Sequence, residues 1–152
     1  IGWNPEEVID VSGEDISGYF EGSLITADSI FPQGLIAQDT VTTNFYFIND
    51  GEKKLIATPD VRKLNFGSFA TVKKTSKELE KYATADGVII LKDGLMVKSS
   101  EDPKVYIVSG EQLRWIPDEK TFSDLGYNWK NLVAVSQATL DYHQTGEPLE
   151  SF

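Results

Sequence analysis

The side chains with chemistry to offer in this chain of 152 residues are one histidine, a short aromatic and cationic stretch, and a surplus of carboxylates. Arg114, Trp115, Tyr127 and Trp129 combine flat aromatic faces with a planar cation. Such a set can stack the apolar face of a pyranose while the guanidinium bonds its hydroxyls. The competing reading is structural. Trp115 lies on a hairpin strand, Trp129 leads into a strand, and large aromatics are mostly buried, so both are expected in the core. His143 is the sole histidine. It could serve as a general base, but no nucleophile or orienting acid stands beside it in a known pattern, which favours a surface or capping role. No HExxH, GxSxG, phosphate-loop or GxGxxG string occurs, so the chain is expected to be non-enzymatic and to need no cofactor.

Asp and Glu number 24 against 14 Lys and Arg, a net charge of −10. Most carboxylates fall in turns, helix starts and the N-terminal region, where solvation and the helix dipole account for them. Loop oxygens around Asp10, Glu14 and Asp15, or around Ser100, Glu101 and Asp102, could approach a calcium ion. Neither set has the alternation of an EF-hand loop, and no metal site is expected. The negative charge argues against nucleic acid and against an anionic membrane surface, both of which need a basic face. No apolar run is longer than that of Val88-Ile89-Ile90-Leu91, which is strand-sized, and no membrane span is expected. Cysteine is absent, which removes disulfides and thiolate chemistry and suits the cytosol and bacterial surface proteins alike. A chain beginning at Ile1 reads as a processed or excised piece, with any signal peptide upstream of it.

What must position these residues is a repeat. Gly34-Leu35-Ile36-Ala37 leads to Phe45-Tyr46-Phe47-Ile48, and Gly94-Leu95-Met96-Val97 leads to Val105-Tyr106-Ile107-Val108, sixty residues on. With small slips Pro59-Asp60 answers Pro117-Asp118, Gly67 answers Gly126, Thr75 answers Ser136, Leu79 answers Leu140 and Thr84 answers Thr145. A period of this size marks one supersecondary unit used twice. The expected class is α+β: two tandem β-hairpin/short-helix repeats, residues 22–88 (degenerate) and 89–152, after an extended N-terminal arm over residues 1–21. Residues 34–86 and 94–147 are expected to superpose, with Tyr46 and Tyr106 in equivalent places.

Local signals fill in each unit. Asn49-Asp50-Gly51 and Ser109-Gly110 supply positive-φ hairpin turns, and Asp86-Gly87 and Asp93-Gly94 read as further turns. Proline and acids open a helix at Pro59 and at Pro117, each stopped by a glycine. Thr75-Ser76-Lys77-Glu78 is a capping box, whereas Ser136 has Thr139 where the glutamate would stand. Each unit then reads strand, strand, helix, strand, short helix. In the arm, acidic residues interrupt the apolar Val8, Ile9, Val11 and Ile16, and no Lys or Arg occurs before Lys53. Trp3, Val8 and Val11 are the candidate subunit contacts, because an aromatic on a polar arm can dock into a neighbour.

The second unit carries a longer string: Val105-Tyr106-Ile107-Val108-Ser109-Gly110, Leu113-Arg114-Trp115-Ile116-Pro117, Phe122, Gly126-Tyr127-Asn128-Trp129, Val135-Ser136, Leu140 and Thr145-Gly146. It resembles the short tandem repeats of large bacterial cell-surface and secreted proteins, over about residues 92–149 well and 32–88 loosely. The first unit departs from the pattern, with Gly67-Ser68-Phe69 for the Gly-Tyr-x-Trp step and no tryptophan in Lys53-Lys54-Leu55-Ile56. The resemblance implies an extracellular or cell-surface location and a structural or interaction role, with no catalytic residues to carry over. The expected function is a self-associating surface module that forms a filament or layer. Its partners would be other copies of itself or neighbouring surface proteins. A carbohydrate-binding module appended to a larger secreted protein is the alternative.

Overall fold

Ser12 and Asp15 shape the first regular element. The structure, a computed structural model, describes residues 9–19, 24, 26 and 34–150. The Ser12 hydroxyl accepts from the Asp15 amide and the Asp15 carboxylate accepts from the Ser12 amide, a reciprocal box that starts the single turn α1 (Gly13–Ile16). The expected extended arm is therefore helical here, because Ser-x-x-Asp satisfies its first amides locally. Trp3 and Val8 lie outside the described residues.

The first unit is an antiparallel meander of β1 (Leu35–Asp39), β2 (Phe45–Asn49) and β3 (Glu52–Ile56). There follow α2 (Pro59–Phe66), β4 (Thr71–Lys74), α3 (Ser76–Leu79) and β5 (Ala83–Ile89). β4 returns parallel to β1 and β5 parallel to β3, giving the order β4-β1-β2-β3-β5. The second unit runs β6 (Met96–Ser99), β7 (Val105–Ser109), β8 (Gln112–Ile116), α4 (Glu119–Asp124), a 3-10 turn at Trp129–Asn131, β9 (Leu132–Val135), α5 (Gln137–Leu140) and β10 (Gln144–Thr145). Its order, β9-β6-β7-β8-β10, is the same with the same strand directions. Registers correspond too. Ile36 faces Phe47 and Thr71 where Met96 faces Ile107 and Leu132, and Tyr46 faces Leu55 where Tyr106 faces Trp115. Two five-stranded mixed sheets with short helices make the chain α+β. Each carries a closing strand, β5 or β10, beyond the expected elements.

Three local expectations are corrected. The second hairpin turns on Gly110 and Glu111, with φ of 60° and 61°, as the first turns on Asp50 and Gly51 with 48° and 82°. Glu111 tolerates the left-handed conformation because the Asp93 carboxylate accepts both the Gly110 and Glu111 amides. Asp86-Gly87 is no turn but lies inside β5, where the register against β3 shifts between Lys53 and Leu55. The two Pro-Asp pairs are not equivalent: the helix caps are Thr58, before Pro59, and Asp118, after Pro117. Lys120 thus stands where Asp60 does, two residues past its cap.

Both sheets are covered on two faces. Ile36 and Ile56 with Val61 of α2 meet Val97, Val108 and Leu113 with Leu140 of α5 in one shared core. The outer face of the first sheet packs Ala37 and Ile48 under Leu79 and Tyr82. The outer face of the second packs Met96, Ile107 and Ile116 under Phe122. Because Ala37 corresponds to Val97 and Ile36 to Met96, the units meet head to tail, each using a different face. At that boundary the Asp60 carboxylate accepts from the Ser136 amide at 2.9 Å, its hydroxyl at 2.8 Å and the Thr139 hydroxyl at 3.0 Å.

Candidate functional site

Arg114 and Trp115 are neighbours on β8, so the strand's alternation sends them to opposite faces. The Arg114 guanidinium is occupied at the C-terminal segment, its Nε donating to the Glu147 carbonyl at 2.9 Å and Nη2 to that of Pro148 at 3.5 Å. Tyr127 is half-buried, edge-on to Phe122 with ring centroids 5.6 Å apart. The four residues expected to form one platform are therefore divided. Arg114 and Tyr127 hold structure, while Trp115 and Trp129 line a common groove of about 290 Å³.

Neither tryptophan is the core residue expected. Trp115 is half-buried and Trp129 is 48 % exposed. The reason lies in Asn128, whose side chain accepts from the Lys130 amide and opens the 3-10 turn. That turn lays the Trp129 ring over Phe122, centroids 3.8 Å apart and planes within 12°. Phe122, 1 % exposed, takes the buried place. One indole face is thus supported from beneath, and what remains in solvent is the other face and the edges.

The rest of the lining comes from Pro103, Lys104 and Val105 where the chain enters β7, and from Ile116, Pro117, Asp118 and Glu119 where β8 passes into α4. Lys104 lies 5.7 Å from the Trp115 ring centroid, close enough for a cation–π contact, and 4.0 Å from Asp102. The Asp118 carboxylate caps α4 by accepting the Thr121 amide at 2.7 Å, and that bond holds its pKa below the ordinary value. The floor is apolar and the rim carries both charge signs. Phe122, Lys104, Asp118 and Glu119 were not foreseen as one group. The available signal was a helix cap at Asp118 and a phenylalanine at Phe122, upstream of the aromatic turn at Trp129.

His143 lies outside the tryptophan groove and lines a separate, smaller pocket of about 140 Å³ with Asp102, Tyr106 and Asp141. Its Nε2 accepts from the Leu91 amide at 3.3 Å, so Nδ1 carries the proton and donates to the Glu111 carbonyl at 2.9 Å. It ties the linker between the sheets to the second hairpin, at the position Tyr82 holds in the first unit. Of the two carboxylate sets, Asp15 and Asp102 are engaged in turns. Asp15 caps α1, the Ser99 hydroxyl accepts the Glu101 amide, and Asp102 accepts the Lys104 amide. Among the described residues no three His, Asp or Glu side chains converge as metal ligands, and no helix is long and apolar enough to cross a membrane.

Val11, the remaining candidate contact, is exposed together with every other described residue from 9 to 19. No protein-family model matches the chain, and no curated protein matches it.

Proposed function

We propose that this chain is a non-enzymatic structural module of a bacterial surface protein, two tandem repeats clasped into one body that self-associates through its N-terminal arm. One observation carries the reading: Val11 is 51 % and Tyr19 80 % exposed, with Ile9 and Ile16 also in solvent, so the described apolar residues of the arm find no cover on their own domain. The acceptor in this reading is the edge strand β4. Among described residues it pairs only with β1, it is exposed at Thr71, Val72 and Lys73, and Lys73 and Lys74 complement an arm that carries acids and no base. An added strand there would satisfy the open backbone edge. Because donor and acceptor differ, the contact is heterologous and can propagate into a filament or layer.

The test uses the absence of native cysteine. A Val11→Cys, Lys73→Cys double variant under mild oxidation is expected to give a ladder of disulfide-linked multimers, with filaments in negative-stain micrographs of the unmodified protein. Monomer alone on both counts would remove the proposal.

A further inference from the structure

We propose that the Trp115–Trp129 groove binds a neutral hexopyranose, stacked on the free face of Trp129. The inference does not rest on assembly through the arm. The groove lies beside the outer face of the second unit, so the first question is why another repeat would not cover it. Between the units the contact uses Thr58 and Asp60 on one side and Ser136 and Thr139 on the other, with Thr58 and Thr139 hydroxyls 2.7 Å apart. On the outer faces the equivalent positions are Asp118 and Lys120, and Thr75 and Glu78. Docking a second copy by the same geometry would bring the Asp118 carboxylate and the Lys120 ammonium together onto Glu78. Lys120, standing for Asp60, has no acceptor for the Thr75 amide and hydroxyl as Asp60 has for those of Ser136. Each of these groups is moreover satisfied at home: Asp118 on Thr121, Lys120 on Asp124, Glu78 on Thr75. A repeat is the wrong occupant.

The lining states what is right. An exposed indole braced from behind by a parallel phenyl ring is rigid, and it offers a flat π surface to the C–H face of a sugar. Lys104 can donate to hydroxyls, and Glu119 and Asp118 can accept from them. Two carboxylates on the rim disfavour uronic and sialic acids, which leaves neutral rings. A volume of about 290 Å³ is at the small end of ligand pockets, enough for about one ring and short for an extended proline-rich peptide.

Titration of the full chain with soluble oligomers of glucose, N-acetylglucosamine and galactose, read by tryptophan fluorescence and calorimetry, tests this. At least one series should bind and shift the emission. Trp129→Ala should weaken binding by about tenfold or more, as loss of a stacking contact implies, with Glu119→Gln giving a smaller loss. Arg114→Ala should leave affinity unchanged, circular dichroism confirming that each variant is folded. Absence of binding to all three series, equal affinity in Trp129→Ala, or saturable binding of a proline-rich peptide in their place would each overturn the proposal.

Discussion

The Asp60 carboxylate performs for Ser136, across the boundary between the two sheets, what Glu78 performs for Thr75 within its own helix. Glu78 accepts the Thr75 amide at 2.8 Å and its hydroxyl at 2.7 Å, and Asp60 accepts the Ser136 amide at 2.9 Å and hydroxyl at 2.8 Å. The missing glutamate of the second capping box is thus replaced from the other unit, and Thr139, which stands in its place, donates to the same carboxylate oxygen. A local capping motif has become the clasp that makes one body of two units.

Removing that carboxylate should cost more than an ordinary cap. Asp60→Ala is expected to destabilise the chain by about 1–3 kcal/mol, the loss of a cap plus a stranded amide and two hydroxyls. Thr139→Glu in that background should restore part of the loss, and the same substitution alone should destabilise by setting two carboxylates together. Urea unfolding of the four proteins gives the coupling directly.

The clasp also sets a pH dependence. The Ser136 amide, helped by the hydroxyls and opposed by burial, holds the Asp60 carboxyl below its ordinary 3.8. A group whose folded pKa is lowered stabilises the fold at pH values above its unfolded pKa and loses that contribution as pH falls through the folded one. The urea midpoint should therefore drop as pH falls below about 4. Asp60→Asn should start lower at pH 7 and converge with the parent in acid; parallel curves throughout would contradict this.

Phe122 and Trp129 should separate in stability. Phe122→Ala, which empties a fully buried site, should cost about 3–5 kcal/mol. Trp129→Ala, half in solvent, should cost about 1–2 kcal/mol, near its stacking contribution and partial burial. Equal losses would mean that the tryptophan is packed as a core residue after all.

The second hairpin offers a gain. Glu111 holds a φ of 61° that its Cβ resists. Glu111→Gly should stabilise by up to about 1 kcal/mol, and Asp93→Ala should destabilise by removing the acceptor of two turn amides. Thermal melts of the two variants read both effects.

Much of this architecture was legible in residue types. The Asp50-Gly51 turn, the Thr75-Glu78 box and the matched spacing of Tyr46 and Tyr106 follow local rules, and local rules can be read from a single chain. The closing strands could not. Ala83 to Gly87 alternates no apolar face and β10 is two residues long, so both exist only through parallel pairing with strands thirty residues earlier. The site was half legible for the same reason. Trp115 and Trp129 stood out as types, but which of their neighbours shared the groove depended on strand alternation, which turns Arg114 away, and on a 3-10 turn that leaves Trp129 outside. Ser136 with Thr139 read as a weak cap because its partner lies in the other unit.

Self-association through the arm is tested most directly by sedimentation velocity of the full chain and of residues 21–152 across a hundredfold range of concentration. The full chain should shift to larger species as concentration rises, and the truncated chain should remain a folded monomer at every concentration. A full chain that stays monomeric throughout would contradict the assembly reading.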